Sequence, residues 1–331
     1  MNKHLLFTAI VCLAACTQPT YKTIGAIERL DPALDAIIDK DAVVEIIAEG
    51  FDWSEGPLWI EDQQMLLFSD VPANTIYKWT AAKGKEIYLT PSGYTGTAKR
   101  GGETGSNGLL LNNKGQLVLC QHGNRQLALM DAPVATPRPI FKTIAGGYQQ
   151  KKFNSPNDAV YNSRGELFIT DPPYGLERNM DDSLKEIPFQ GVYKISPAGA
   201  VVLLTDSVTR PNGIAFMPGE KTLLVANSDP AKPVWYAFDI DSSGLFTNAR
   251  IFYNAATAAA KEKGMPDGMK VSKSGIVFAT GPGGLWIFDK NANVLGKIKI
   301  PESTSNCAFS ADEKTLYITA DMYVLRLKLW R

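Results

Sequence analysis

Six phrases in this chain set an acidic or amide residue before a short apolar run: SEGPLWIEDQQMLLFSD, SNGLLLNNKGQLVLCQHG, PNDAVYNSRGELFITD, PNGIAFMPGEKTLLVANSD, PDGMKVSKSGIVFAT and SNCAFSADEKTLYITAD. Their leading polar residues are Glu55, Asn107, Asn157, Asn212, Asp267 and Asn306, about 40–55 residues apart. A single Asn-Gly or Asp-Gly is ordinary turn chemistry; six in one register ask for another explanation. Glu55, Asn157, Asn212 and Asp267 offer two carboxylates and two amide carbonyls, all hard oxygen donors. That set suits Ca²⁺, which takes roughly six to eight oxygens, with Mn²⁺ or Mg²⁺ as alternatives. Zinc would want His or Cys, and Cys307 follows Asn306 and so points to the opposite side of its strand. Two carboxylates brought together repel without a cation between them. A bound divalent ion can polarise an oxygen that coordinates it and lower the pKa of its own water.

The elements that must position these residues follow from the same repeat. Each phrase reads as strand, turn and second strand, and long helical periodicity is absent after the first forty residues. A period of this size built from short antiparallel strands is the signature of a β-propeller, so the expected fold is all-β with six blades. A β-sandwich would not require the same polar residue at the same place in six units. The last phrase lacks room for an outermost strand, whereas VVEIIAE at residues 43–49 precedes the first phrase with no partner. The N-terminal strand is therefore expected to complete the last blade and close the ring. Residues that open the innermost strands then converge on the axis. Asn107 and Asn306 are expected to touch substrate there, as are His122 and Asp171 at the ends of second strands. The Gly-rich loop PSGYTGTAKRGGETGS, residues 91–106, is expected to form a mobile lid on which Arg100 grips substrate. Trp53, Trp59, Trp79, Trp235 and Trp286 are read as packing between blades.

The 331 residues carry 34 basic and 34 acidic side chains, and no basic stripe argues for nucleic acid. The opening MNKHLLFTAIVCLAAC has a charged start and an apolar run too short to span a bilayer. Leu13-Ala14-Ala15-Cys16 resembles a bacterial lipobox, which implies cleavage before Cys16, acylation of its thiol and, with Thr17 next, the outer membrane facing the periplasm. The expected organisation is a lipoprotein signal at 1–16, a tether with a short helix at 17–40, and a propeller at 41–331. Asp31 can cap that helix and Pro32 suits its first position. Cys120 and Cys307 are then the internal thiols, without zinc spacing, and His122 is the one histidine left after the signal.

FDWSEGPLW, SPNDAVYNSRGELFITDPPYG, RPNGIAF, MPDGM and SNCAFSADEKTLYIT resemble the senescence marker protein, gluconolactonase and luciferin-regenerating enzyme family, over Ile24 to the C-terminus. The resemblance implies a six-bladed propeller that hydrolyses sugar lactones with a divalent metal, usually calcium. It puts the family's metal Glu, Asn and Asp on Glu55, Asn212 and Asp267, and its assisting Asn on Asn157. On this reading Asp267 accepts the proton of the attacking water and Asn157 and Asn107 orient substrate oxygens, with His122 or Asp171 as other candidates for the base. The expected partner is a small-molecule lactone, with membrane contact only through the lipid and a monomeric chain. The channel histidines of the propeller phosphotriesterases are replaced here by Asn306 and Ala308, which speaks against organophosphate chemistry. A strictosidine-synthase-like enzyme would not need the Glu55, Asn212 and Asp267 set. The opposing class is a non-catalytic propeller that binds partners and keeps its axial ion as a clamp.

Overall fold

The structure, a computed structural model describing residues 21–330, is a closed ring of six antiparallel sheets. The first blade comprises Ser54–Ile60, Met65–Asp70, Thr75–Thr80 and Gly84–Leu89; the second, Ser106–Leu111, Leu117–Gln121, Gln126–Met130 and Phe141–Ala145. The third has Ala159–Tyr161, Leu167–Asp171, Gly191–Ile195 and Val201–Thr205; the fourth, Pro211–Phe216, Thr222–Asn227, Val234–Ile240 and Phe246–Asn254. The fifth is built from Met269–Val271, Val277–Gly281, Gly284–Phe288 and Val294–Lys299, and the sixth from Thr304–Phe309, Thr315–Ala320 and Tyr323–Lys328. Closure occurs as expected. Glu45–Glu49 is the fourth strand of the last blade, with Glu45 opposite Arg326 and Glu49 opposite Tyr323.

Burial follows each strand's place in its blade. Second strands have neighbouring blades on both faces and are apolar nearly throughout: MLLFSD at Met65–Asp70 is buried at every residue. Outer strands meet water, and Phe246–Asn254 is mostly exposed. Among the described residues the core accordingly divides into six clusters, one per blade interface. Leu67, Leu89, Leu117 and Leu119 fill the first interface, while Trp235, Met269, Trp286 and Phe288 fill the fourth. Trp79, Trp235 and Trp286 are core side chains, and Trp59 stacks on Tyr317 with ring centroids 5.1 Å apart. Cys120 and Cys307 are buried and free.

The segment before the closing strand is more than a tether. Ala26–Arg29 adds a fifth strand to the fifth blade, pairing Ala26 with Lys299. The expected short helix is a 3-10 turn at Pro32–Ala36, capped by Asp31, whose Oδ1 accepts Ala33 N–H at 2.8 Å. Leu34, Ile37 and Ile38 bury against the fifth and sixth blades. The lipobox and signal fall outside the described residues.

The Gly after the polar residue has a packing reason. A Cβ on Gly56, which sits at φ +52, would stand 2.1 Å from the carbonyl oxygen of Asn107 in the next blade. One on Gly268 would stand 2.0 Å from the Asn306 amide carbon. The inner strands thus approach closely enough that the polar residue of one blade occupies the side-chain space of its neighbour's glycine. Hydroxyls from the second strands fasten the same joints: Ser69 Oγ donates to Asn107 O at 2.9 Å, and Thr170 Oγ1 to Asn212 O at 2.6 Å.

Candidate active site

A cavity of about 260 Å³ opens where the innermost strands begin. Its wall includes Glu55, Asn107, Asn157, Asn212 and Asp267, five of the six leading polar residues. A groove of about 910 Å³ between the segment Asp35–Asp41 and residues 312–330 is larger, but none of the buried unpartnered polar atoms among the described residues lies on it.

Four oxygens distinguish the smaller cavity. Asn107 Oδ1, Asn157 Oδ1, Asn212 Oδ1 and Asp267 Oδ1 are all sealed from bulk solvent and lack a hydrogen-bond partner. A buried acceptor without a donor costs about 1–3 kcal/mol, so four on one wall imply a cationic or donor ligand. The Asn212 amide is fixed by its neighbours: Nδ2 donates to Ser228 Oγ at 3.0 Å, and Ser228 Oγ donates to Pro266 O at 2.6 Å. That chain leaves the Asn212 carbonyl for the cavity.

The carboxylates complete the case. Glu55 Oε2 accepts Gly56 N–H at 2.6 Å and Asn306 Nδ2 at 3.2 Å. Burial nevertheless pushes Glu55 up to about 8, with the nearby Asp158 and Glu103 charges acting in the same direction. Asp267 is raised well above the usual carboxylate range by burial first, then by the charges of Glu55, Glu103 and Asp158. Neither carboxylate is comfortable ionised without positive charge beside it. Among the described residues no three His, Cys, Asp or Glu side chains converge as a metal cluster, so a cation here would draw on amide oxygens as well. Two carboxylates with amide carbonyls fit a hard divalent ion.

Other expected contacts are placed differently. Asn306 is used internally: its Nδ2 holds Glu55 and its Oδ1 accepts Cys307 N–H at 2.9 Å, so it orients a carboxylate and does not line the cavity. Asp171 accepts Asn154 N–H and Ser155 N–H, each at 2.8 Å, and so shapes the loop that delivers Asn157. Burial pushes it up to about 7, against those two bonds and the Arg125 charge. Arg100 donates to the carbonyls of Gly123 and Gly175, so it straps the 91–106 loop to two neighbouring loops and is not part of the cavity wall. His122 is fully buried behind that wall, with Nδ1 3.1 Å from Glu103 Oε2.

Several wall residues escaped the sequence reading. Trp53, read as packing, lies on the cavity, together with Glu103, Tyr174, Arg210, Ser228 and Met265. Glu103 stands in the Gly-rich loop that drew attention to Arg100, and Arg210 immediately precedes the Pro-Asn-Gly of the fourth phrase. Tyr174 follows the Pro-Pro after Asp171.

Comparison with known proteins agrees with this architecture. The SMP-30/gluconolactonase/LRE-like region matches residues 53–321. A gluconolactonase of Zymomonas mobilis is 39% identical over 313 residues, 92% of this chain and 86% of that one. The solved structure of a gluconolactonase from Xanthomonas campestris superposes with a TM-score of 0.80 at 26% identity, covering 95% of this chain and 99% of that one. The calcium-binding regucalcin of Agrobacterium tumefaciens shares the fold, with a TM-score of 0.66 at 17% identity over 86% of this chain and 94% of its own. This chain therefore belongs to the SMP-30/gluconolactonase/LRE-like family and is a lactonase built on a six-bladed propeller.

Proposed function

We propose that lactone hydrolysis takes place in the axial cavity and depends on one divalent cation held by Glu55, Asn157, Asn212 and Asp267, with Ca²⁺ the first candidate and Mn²⁺ or Mg²⁺ the alternatives. The observation that carries this reading is the group of unpartnered oxygens on Asn107, Asn157, Asn212 and Asp267 beside a second buried carboxylate, Glu55. The charges agree as well. Glu55, Asp267 and Glu103 against Arg210 leave the wall with two net negative charges when all four are ionised, which a divalent ion neutralises.

The substrate class is a sugar-type lactone, small enough for a cavity of about 260 Å³ and rich in polar atoms. A bound divalent ion supplies polarisation of the lactone carbonyl and a more acidic water. The chain's own residues do the rest. Of the two Asp267 carboxylate oxygens, one would hold the ion and the other accepts the proton of the attacking water. Asn107 Oδ1 accepts from a substrate hydroxyl and so fixes the ring's orientation. Trp53, Tyr174 and Met265 cover the wall and exclude bulk water. Asn306 and the Gly56 amide hold Glu55 in place. A signal and lipid anchor at residues 1–16, ahead of a propeller from about residue 41, would put this activity in the periplasm at the outer membrane.

Chelation tests the proposal. Treatment that removes bound metal is expected to abolish hydrolysis of glucono-δ-lactone while the far-ultraviolet circular dichroism of the propeller persists, and one of Ca²⁺, Mn²⁺ or Mg²⁺ is expected to restore it. Full turnover by protein verified to be metal-free would refute it.

A further inference from the structure

The cavity wall carries two charged groups that the mechanism above leaves idle. Glu103 reaches it from the 91–106 loop and Arg210 from the segment before the fourth blade's inner strand. They lie too far apart for an ion pair with each other, and among the described residues the Arg210 guanidinium has no hydrogen bond or ion pair. Both therefore present unspent hydrogen-bonding capacity to whatever fills the cavity.

Glu103 is held with some care. Its Oε2 lies 3.1 Å from Nδ1 of His122, a fully buried imidazole neither of whose ring nitrogens makes a hydrogen bond among the described residues. Among the described residues Glu103 is the acidic group within ion-pair distance of that imidazole. The loop bearing it is strapped at Arg100 to the carbonyls of Gly123 and Gly175. Gly105 N–H, two residues on, donates to Val71 O at 2.8 Å. With Oε2 facing the imidazole and the side chain about a third exposed, the Glu103 carboxylate accepts no hydrogen bond among the described residues and is open to a ligand in the cavity. A carboxylate accepts and cannot donate, so its natural partner on a neutral substrate is a hydroxyl. A guanidinium donates and cannot accept, so it complements the oxygen of the same or the adjacent hydroxyl.

We propose that Glu103, positioned by His122, is the specificity-determining residue that reads a hydroxyl of a polyhydroxylated lactone, with Arg210 as its donor counterpart. This rests on the axial cavity being the active site. A wall built to pair a substrate hydroxyl discriminates strongly against an analogue that lacks it, because its own polar groups are then left unpaired. His122 touches no substrate and acts through Glu103.

The test compares glucono-δ-lactone with δ-valerolactone, which has the ring and no hydroxyls. The measured quantity is the selectivity ratio, kcat/KM on the first divided by kcat/KM on the second, in which any inactive fraction of a variant cancels. Glu103→Ala is expected to lower this ratio on the order of 10²-fold, mainly through KM for the hydroxylated substrate, and Glu103→Gln by less because its amide oxygen still accepts. His122→Gln is expected to lower the same ratio by several-fold. A ratio unmoved in both Glu103 variants overturns the assignment, whatever happens to the absolute rates. Glu55→Gln, assayed beside them, separates the two levels: wild-type turnover of both lactones in that variant would sink the site itself, and the inference with it.

Discussion

Two sets of Asn and Asp residues occupy this propeller, and they differ in what their oxygens meet. At the starts of the inner strands, Asn107, Asn157, Asn212 and Asp267 each keep an oxygen without a partner. At the ends of second strands, Asp70, Asp171 and Asn227 have theirs filled by backbone N–H groups. Asp70 accepts from Trp53 N at 3.1 Å, Asp171 from Asn154 and Ser155, and Asn227 from Arg210 at 2.8 Å. The second set shapes the entry segments of the inner strands, bonding Trp53, Ser155 and Arg210, each two residues before Glu55, Asn157 or Asn212. Residue type is nearly the same in both. Satisfaction of the oxygens, not their identity, separates those left available to a ligand from those spent on the fold.

Breaking the axial carboxylates, Asp267 of the first set and Glu55 beside it, should have the largest effect. Glu55→Gln and Asp267→Asn are each expected to lower lactone turnover by roughly 10²–10⁴-fold together with bound metal, as measured by initial rates and elemental analysis on the same samples. Near wild-type rates in both would erase the distinction between the two sets.

The second set predicts loss of stability ahead of loss of chemistry. Asp171→Ala leaves two buried N–H groups without an acceptor and is expected to cost about 2–4 kcal/mol in denaturant unfolding, with a smaller change in turnover per folded molecule. A variant as stable as wild type but inactive would move Asp171 into the binding set.

A subtler measurement sharpens the same contrast through protons. Glu55 is near 8 in the folded chain against 4.5 as a free side chain, and Asp267 is raised in the same direction. Between those values the folded chain binds more protons than the unfolded one, so raising the pH removes stability. Metal-free protein is therefore expected to show a falling Tm from about pH 5 to about pH 8, and saturating cation is expected to flatten that slope. A metal-free Tm that rises over the same interval would contradict the charge crowding at the axis.

How much of this was written in the sequence depends on how local each feature is. The six phrases are local, and so were the blade number, the closing strand and the choice of Glu55, Asn107, Asn157, Asn212 and Asp267 as axial residues: every one opens an inner strand, so its place is fixed by register alone. Asn306 shares that register and still differs, because Gly268 leaves room for its amide to lie against the fifth blade and reach Glu55. Arg100, His122 and Asp171 were drawn to the right end of the molecule, yet one straps a loop, one stands behind Glu103 and one caps backbone.

Glu103, Tyr174 and Arg210 show where sequence gives out. They come from three different connections, after the outer strand of the first blade, after the second strand of the third, and before the inner strand of the fourth. No periodicity relates them, since connections between strands carry none. The sequence alone determined a ring of repeated strands and the residues that its symmetry sends to the axis. Only the tertiary structure decided which oxygens there stay unpaired and which loop side chains close over them, because hydrogen-bond satisfaction is a property of neighbours far apart along the chain.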